Sequence, residues 1–318
     1  MDFVEFTAGK DDNDRRLDKI LRRLCNEKPL SQLYKAIRKG LVKVNGKSCS
    51  ETTRILTGDI IKIAAFLTQS KKSSDKEKSL ASLMPEIIFQ NEHLLIMNKP
   101  YGLLSQPNSK NSLSLDKILL DYYTENFSSD SISFTPSPLH RLDKNTTGLI
   151  VCSLSLEGAR WFSENINSHR IEKKYLGIVK GNLKEKQIWQ DKLSDKKEKD
   201  SFYTIKASHS EEDSNCWTCA EPVEHGKYKN IDVTLVEFHI KTGKHHQIRA
   251  QASLHEYPLL GDCAYGCEKT DLKQEYYLHA ASLSIKENPI NLPEEIKCTL
   301  PSEFKTALKT CGMGNIEV

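Results

Sequence analysis

His140-Arg141-Leu142-Asp143-Lys144-Asn145-Thr146-Thr147-Gly148-Leu149 lies near the middle of a 318-residue chain. A proline-marked turn, Pro136-Ser137-Pro138, comes before it, and the apolar run Gly148–Ser153 reads as a buried strand. Asp143 therefore falls in a loop at a sheet edge, where rigid strands hold loop side chains over a cleft. Arg141 and Lys144 beside it favour its ionised form. An ionised carboxylate so placed acts as nucleophile, base or electrostatic stabiliser. Taken alone, an aspartate in a loop is more often a turn or capping residue, so the surrounding sequence has to carry the distinction.

Around that loop the pattern mixes strand and helix. Ile87-Ile88-Phe89, Leu94-Leu95-Ile96-Met97, Lys174–Val179, Ile231–Ile240 and Leu278–Ile285 read as further strands. A helix is expected around Ser155–Asn165, and His245–His255 has helical periodicity. From Met84 onward this is the α+β class: a curved, mainly antiparallel mixed sheet with flanking helices. Lys184–Asp200 is charged and reads as a surface excursion, and Ser208–Ser214 as an exposed loop.

Asp14 to Ile63 reads as a separate small α/β module. Leu17, Ile20, Leu21 and Leu24 form one helical stripe. After Pro29, Ser31 is expected to cap a second helix, Gln32–Lys39, which Gly40 stops. Val42–Val44 is a strand entering an Asn45-Gly46 turn, and Thr57-Gly58-Asp59 leads into a last strand, Ile60–Ile63. Thr68–Ser82 is rich in Ser and Lys and reads as a tether. The expected division is a module at 1–68, a flexible linker at 69–83 and a larger domain at 84–318.

Net charge is only +3, which does not announce a nucleic-acid binder. Between Arg15 and Lys47, however, eleven basic side chains face two acidic ones, the footprint of a phosphate-binding face. No apolar run approaches the roughly 20 residues that cross a bilayer, and Met1–Lys10 has no export-signal pattern, so a soluble cytoplasmic chain without a membrane partner is expected. Nine scattered cysteines argue against a disulfide framework. Cys216/Cys219 and Cys263/Cys267 have spacings that would suit zinc, but ordinary thiols are the commoner reading.

The loop around Asp143 resembles the hallmark of the RluA-type pseudouridine synthase family: His-Arg-Leu-Asp, two variable residues, then Thr-Ser-Gly, with Thr147 here in place of the serine. The resemblance recurs in order along the chain. Asn98-Lys99-Pro100 with Gly102 is similar to the family's first motif, and Lys173–Gly181 to its tyrosine-bearing strand. Thr242–Arg249 resembles its arginine-bearing helix, Pro258–Asp262 with Tyr265-Gly266 the segment after it, and Leu278-His279-Ala280 the last motif. Departures are Lys244 for arginine, His245 for threonine, Gln251 for histidine, and Glu256-Tyr257 for Gly-His. Residues 15–63 resemble the RNA-binding fold of ribosomal protein S4, a pairing most similar to the branch that modifies large-subunit ribosomal RNA.

The resemblance implies a pseudouridine synthase fold and an isomerase acting on specific uridines of structured RNA, with 23S ribosomal RNA favoured over transfer RNA. The reaction breaks the N1–C1′ bond, turns the uracil and joins C5 to C1′. It is redox-neutral and hydrolyses nothing, so no cofactor or metal is implied. By the same resemblance Asp143 is the catalytic carboxylate and Arg249 the guanidinium that pairs with it bidentately. Tyr175 packs on the base and helps remove the C5 proton. His140, Arg141, Leu142 and Ile248 are expected to line the RNA site, Arg141 as wedge or phosphate contact and His140 more as a loop-ordering group than a base. Lys35, Arg38 and Lys39 are expected RNA contacts of the N-terminal module, and a monomer is expected. Two other classes stay open: a catalytically silent RNA-binding ribosome-assembly factor, and a hydrolytic glycosylase for which Asp262 would be the second carboxylate.

Overall fold

In the computed structural model the described residues are all except 1, 26–27, 69–78, 110–111, 128–130, 198–202, 210–212, 287–288, 315 and 317–318. They pack as two units. One comprises Met1–Met84, Ile118–Ser137 and Leu154–Glu157, and the other Pro85–Lys117, Pro138–Ser153 and Gly158–Val318. Of the expected linker, 69–78 lies outside the described residues, and Ala81–Leu83 forms a single 3-10 turn.

The first unit opens with β1 (Phe3–Thr7), β2 (Arg15–Arg16), α1 (Leu17–Leu24) and α2 (Leu30–Arg38). β3 (Val42–Val44), β4 (Arg54–Ile55), β5 (Ile60–Ala64) and α3 (Ala65–Thr68) follow. The apolar stripes act as their spacing predicts: Leu17, Ile20 and Leu21 of α1 and Leu33, Ala36 and Ile37 of α2 are buried in one core. Asn45 and Gly46 both take positive φ, +50° and +74°, as a tight primed hairpin turn demands. Two local expectations are corrected. The module does not begin at Asp14: β1 pairs antiparallel with β5, giving a β1-β5-β3 sheet. The cap of α2 is Pro29, not Ser31, because its extended backbone (φ −63°, ψ 149°) ends just before the first helical residue. Residues 118–137 also belong to this unit. Ile132 packs on the core, and the fully buried Asp12 carboxylate accepts bonds from Ser131 Oγ, the Ile132 and Ser133 amides, the Ser133 hydroxyl and the Gly9 amide.

The second unit holds β6 (Ile87–Gln90) and β7 (Leu94–Lys99). After α4 (Leu115–Asn126), which spans the division, come β8 (Thr147–Ser153), α5 (Leu156–Asn167), β9 (Ile171–Lys180) and β10 (Gln187–Lys197). β11 (Tyr203–His209), β12 (Cys216–Tyr228), β13 (Ile231–Ile240) and α6 (Gln247–Leu254) are next, then β14 (Leu278–Ile285), β15 (Glu295–Lys297) and α7 (Ser302–Thr310). Ten strands form one sheet in the order β11-β10-β12-β13-β9-β14-β8-β7-β6, with β15 beside β14. Among the described residues, every strand pairing in this sheet is antiparallel except β14 with β8, the mixed, mainly antiparallel α+β arrangement that the sequence predicts.

The charged stretch Lys184–Asp200 is not a surface excursion but largely β10, paired with β11 and β12. Trp189, Asp191 and Leu193 point inward while Gln190 and Lys192 point out, a two-residue alternation hidden because one inward residue is an aspartate. The expected loop at Ser208–Ser214 begins inside β11, and 210–212 lies outside the described residues.

Candidate active site

β8 is buried at all seven positions, and the Asp143 loop runs directly into it. Gly148 makes the junction possible. Its φ is +102°, and a Cβ there would lie 2.3 Å from the Ala280 carbonyl oxygen on β14. The loop is fastened from three sides. Ser105 Oγ donates to the Leu142 carbonyl at 2.8 Å and accepts the Leu142 amide at 3.1 Å. Lys99 Nζ, fully buried, donates to the carbonyls of Pro100, Leu103 and Lys144. Burial pushes the Lys99 pKa down to about 7, against the pull of the Asp143 charge. Thr147 Oγ1 sits 2.8 Å from His279 Nδ1 at the base of the loop.

The loop forms one wall of a cleft of about 720 Å³, and α6 with the turn before it forms another. Asp143, 17% exposed, has Arg249 Nη1 at 3.3 Å from its Oδ2. The bidentate partner of Arg249 is, however, Asp262: Nε and Nη2 donate to its two oxygens at 2.7 and 2.8 Å. The expected bidentate pairing with Asp143 is thus corrected to a single contact. The reason is geometric: the fork of the guanidinium is filled by the Asp262 carboxylate, leaving one edge for the cleft. Tyr276 and Tyr265 flank the guanidinium carbon at 4.4 and 4.8 Å. Burial opposes the Arg249 charge, but the Asp262 bonds and the surrounding anionic groups outweigh it and raise its pKa.

Tyr175, 6% exposed, lines the same cleft. Burial, and then the Asp143 charge, raise its pKa, so the phenol stays protonated and is a poor base. His140 accepts the Val151 amide through Nε2 at 3.1 Å and stacks on Phe162. Burial and the nearby Lys173 charge push its pKa down to about 3, so it orders the loop as a neutral ring. Leu142 and Ile248 are buried wall residues, and Arg141 is exposed at the rim. Lys35, Arg38 and Lys39 lie in the first unit, exposed at the C-terminal end of α2.

His246 joins the site without having been singled out in the sequence. It precedes α6 in a left-handed conformation (φ +52°), its Nδ1 is 2.8 Å from Tyr265 Oη, and its Nε2 is 3.7 Å from Asp143 Oδ2. Burial, opposed by the Asp143 charge, pushes its pKa down to about 4. Its place in the motif Lys244–Arg249 was the available signal.

Among the described residues, two groups have metal-ligand spacing: Asp143 with His245 and His246, and Asp191 with His209 and His255. Neither contains cysteine. Cys216 Sγ donates to the Asp191 carbonyl, Cys267 Sγ accepts the Gly261 amide, and burial pushes the Cys216 pKa up to about 11, which suits neutral thiols rather than zinc ligands. The Asp191 carboxylate, 1% exposed, is already bonded to Gln251 Nε2 at 2.6 Å and to His255 at 2.9 Å, tying α6 to β10. No helix among the described residues is long and apolar enough to cross a membrane.

Comparison with known proteins places the chain in a family. The RNA pseudouridylate synthase family model matches residues 93–254, and the S4 domain model residues 15–61. A Rickettsia typhi protein named ribosomal large subunit pseudouridine synthase C is 29% identical over 305 residues, covering 92% of this chain and 96% of that one. An uncharacterized RNA pseudouridine synthase of Mycoplasma pneumoniae is 27% identical over 302 residues, 90% of each chain. The solved human RNA pseudouridylate synthase domain containing 4 shares the fold, with a TM-score of 0.57 at 20% identity over 75% of this chain and 97% of that one. The match extends across half the chain, from the strand that ends in Lys99 to the helix of Arg249, and the chain therefore belongs to the RNA pseudouridylate synthase family, with an S4 domain ahead of its isomerase domain.

Proposed function

We propose that the chain isomerises specific uridines in large-subunit ribosomal RNA to pseudouridine, with Asp143 as the catalytic carboxylate. The observation that carries the reading is the Asp143–Arg249–Asp262 arrangement: a part-exposed carboxylate at the cleft, its guanidinium neighbour locked from behind by a second, buried carboxylate. A carboxylate so held is oriented to attack C1′ or to stabilise and deprotonate the sugar as the N1–C1′ bond breaks. Arg249 supplies charge and orientation. Tyr175 packs on the uracil face with its hydroxyl protonated. Leu142 and Ile248 wall the base, His140 orders the loop, and Arg141 contacts phosphate or wedges the strand as the target base leaves its stack. Lys35, Arg38 and Lys39 hold RNA through the S4 domain.

Ribosomal RNA is the proposed substrate because relatives aligned over nearly the whole chain carry that substrate in their names. A monomer is proposed as well, and nine free cysteines fit a reducing cytoplasm.

The test is a pseudouridine map of total RNA from cells lacking the gene and from the same cells restored with the native chain or with Asp143→Asn. Large-subunit sites are expected to vanish and to return only with the native chain. Their return with Asp143→Asn would overturn the catalytic assignment, and changes confined to transfer RNA would overturn the substrate.

A further inference from the structure

Among the described residues, two lysines of the isomerase domain are nearly or fully buried, and their surroundings differ. Lys99 donates hydrogen bonds to three carbonyl oxygens. Lys173 is 7% exposed and lines the cleft, yet among the described residues its Nζ has no hydrogen-bond or ion-pair partner. Burial alone pushes its pKa down, to about 8, with no neighbouring anion holding it up. The Nζ itself is not sealed from solvent, so the ammonium at the end of a largely buried side chain is presented to the cleft. A cation held in this way, with no protein anion beside it, is free to take an anionic ligand.

The position specifies the ligand. Lys173 and Tyr175 are two residues apart on β9 and face the same side of the sheet, roughly 6.7 Å apart along the strand. That is the reach from a base on Tyr175 to a phosphate of its own or the adjoining nucleotide. Opposite, Gly243 leaves the ammonium open: a Cβ there would lie 3.3 Å from Nζ. The nearby His140 is neutral, and Asp143 is engaged by Arg249.

We propose that Lys173 forms a subsite for one backbone phosphate of the RNA strand in the cleft, beside the nucleotide that stacks on Tyr175. This rests on the uridine-isomerising reading given above. A phosphate rather than a base carbonyl is assigned because a cation with no protein partner bonds an anionic oxygen more strongly than a neutral one.

The experiment uses the full chain and a hairpin RNA with a uridine-bearing loop, either unmodified or with one uncharged methylphosphonate at each loop phosphate in turn. Binding is measured by fluorescence anisotropy from 50 to 200 mM salt for the native chain, Lys173→Met and Lys173→Arg, and pseudouridine yield is read on the same samples. Lys173→Met should bind about tenfold more weakly, with a salt slope lower by about 0.7, the single-strand value for one phosphate. One methylphosphonate position should cost the native chain about the same tenfold and cost Lys173→Met nothing further. Lys173→Arg should keep the slope. Lys173→Met should melt no lower than the native chain, because the substitution removes the unpaired charge, and this separates a weakened phosphate grip from misfolding. An unchanged salt slope, or equal losses on methylphosphonate substitution in both proteins, overturns the subsite. Absence of pseudouridine with the native chain overturns the isomerase reading instead, while the binding data still judge the phosphate contact.

Discussion

Arg249 divides its guanidinium between two carboxylates of different standing. Asp262 is 1% exposed and takes two bonds, and Asp143 faces the cleft and takes one. Asp262 touches no substrate atom in this reading, so it positions the arginine. Asp262→Asn keeps the volume but removes the charge and one good acceptor, freeing Arg249 to swing toward Asp143. The expected result is a kcat lower by roughly 100-fold, the scale of a 1 Å misplacement in an active site, with RNA affinity within about twofold of native. Single-turnover kinetics beside an RNA-binding isotherm check this, and an unchanged kcat would show that Asp143 is oriented without the arginine. The motif residues foretold that Asp143 and Arg249 meet. They did not foretell the bidentate partner, because spacing in sequence does not encode which edge of a guanidinium faces which acid. The Tyr175 expectation divides in the same way. Its place against the cleft was legible, but its suitability as a base was not, since that depends on a burial only the packed sheet reveals.

At the scale of elements, the parallel junction of β8 with β14 carries the Asp143 loop, and His279 closes it. His279 is fully buried, with Nδ1 on Thr147 Oγ1 and Nε2 on the Cys298 carbonyl at 3.1 Å. Burial pushes its pKa from 6.5 down to about 4. Below pH 6.5 the unfolded chain binds a proton that the folded chain refuses, so stability is lost as pH falls from about 6.5 to about 4 and changes no further below that. The contribution is on the order of 3 kcal/mol at its full extent. Urea unfolding at pH 7.5 and pH 4.5 should show a smaller acid loss for His279→Asn than for the native chain, whatever the variant's stability at pH 7.5. Equal losses would place the acid sensitivity elsewhere, His140 and His246 being shifted in the same direction. Most strands here were legible from apolar runs. β10 was not, because its inward alternation passes through Asp191, a residue that reads as exposed until Gln251 and His255 are folded against it.

For the whole molecule the net charge of +3 says little and its placement says more. The basic stretch between Arg15 and Lys47 is not uniformly free. Arg16 is paired with the buried Asp18, whereas Lys35, Arg38 and Lys39 are exposed on α2 with no ion pair among the described residues. Deleting 1–68 would be a poor probe of this face. It would strip Asp12 from Ser131 and Ser133 and the N-terminal core from Ile132, damaging residues that follow far later in the chain. Replacing Lys35, Arg38 and Lys39 together with glutamine leaves that packing alone, and exposed substitutions of this kind change stability by about 0.5 kcal/mol or less each. Removing one lysine or arginine from a phosphate lowers the slope of log affinity against log salt by about 0.7 to 0.9. Removing all three therefore lowers it by roughly two to three, weakening binding most at low salt while the melting temperature stays near native. Filter binding of an rRNA fragment from 50 to 200 mM salt, alongside a thermal melt, reads both quantities. A native slope at native melting temperature would mean that α2 faces solvent in the complex and that the S4 domain grips RNA through the remaining basic residues of α1 and the β3 hairpin.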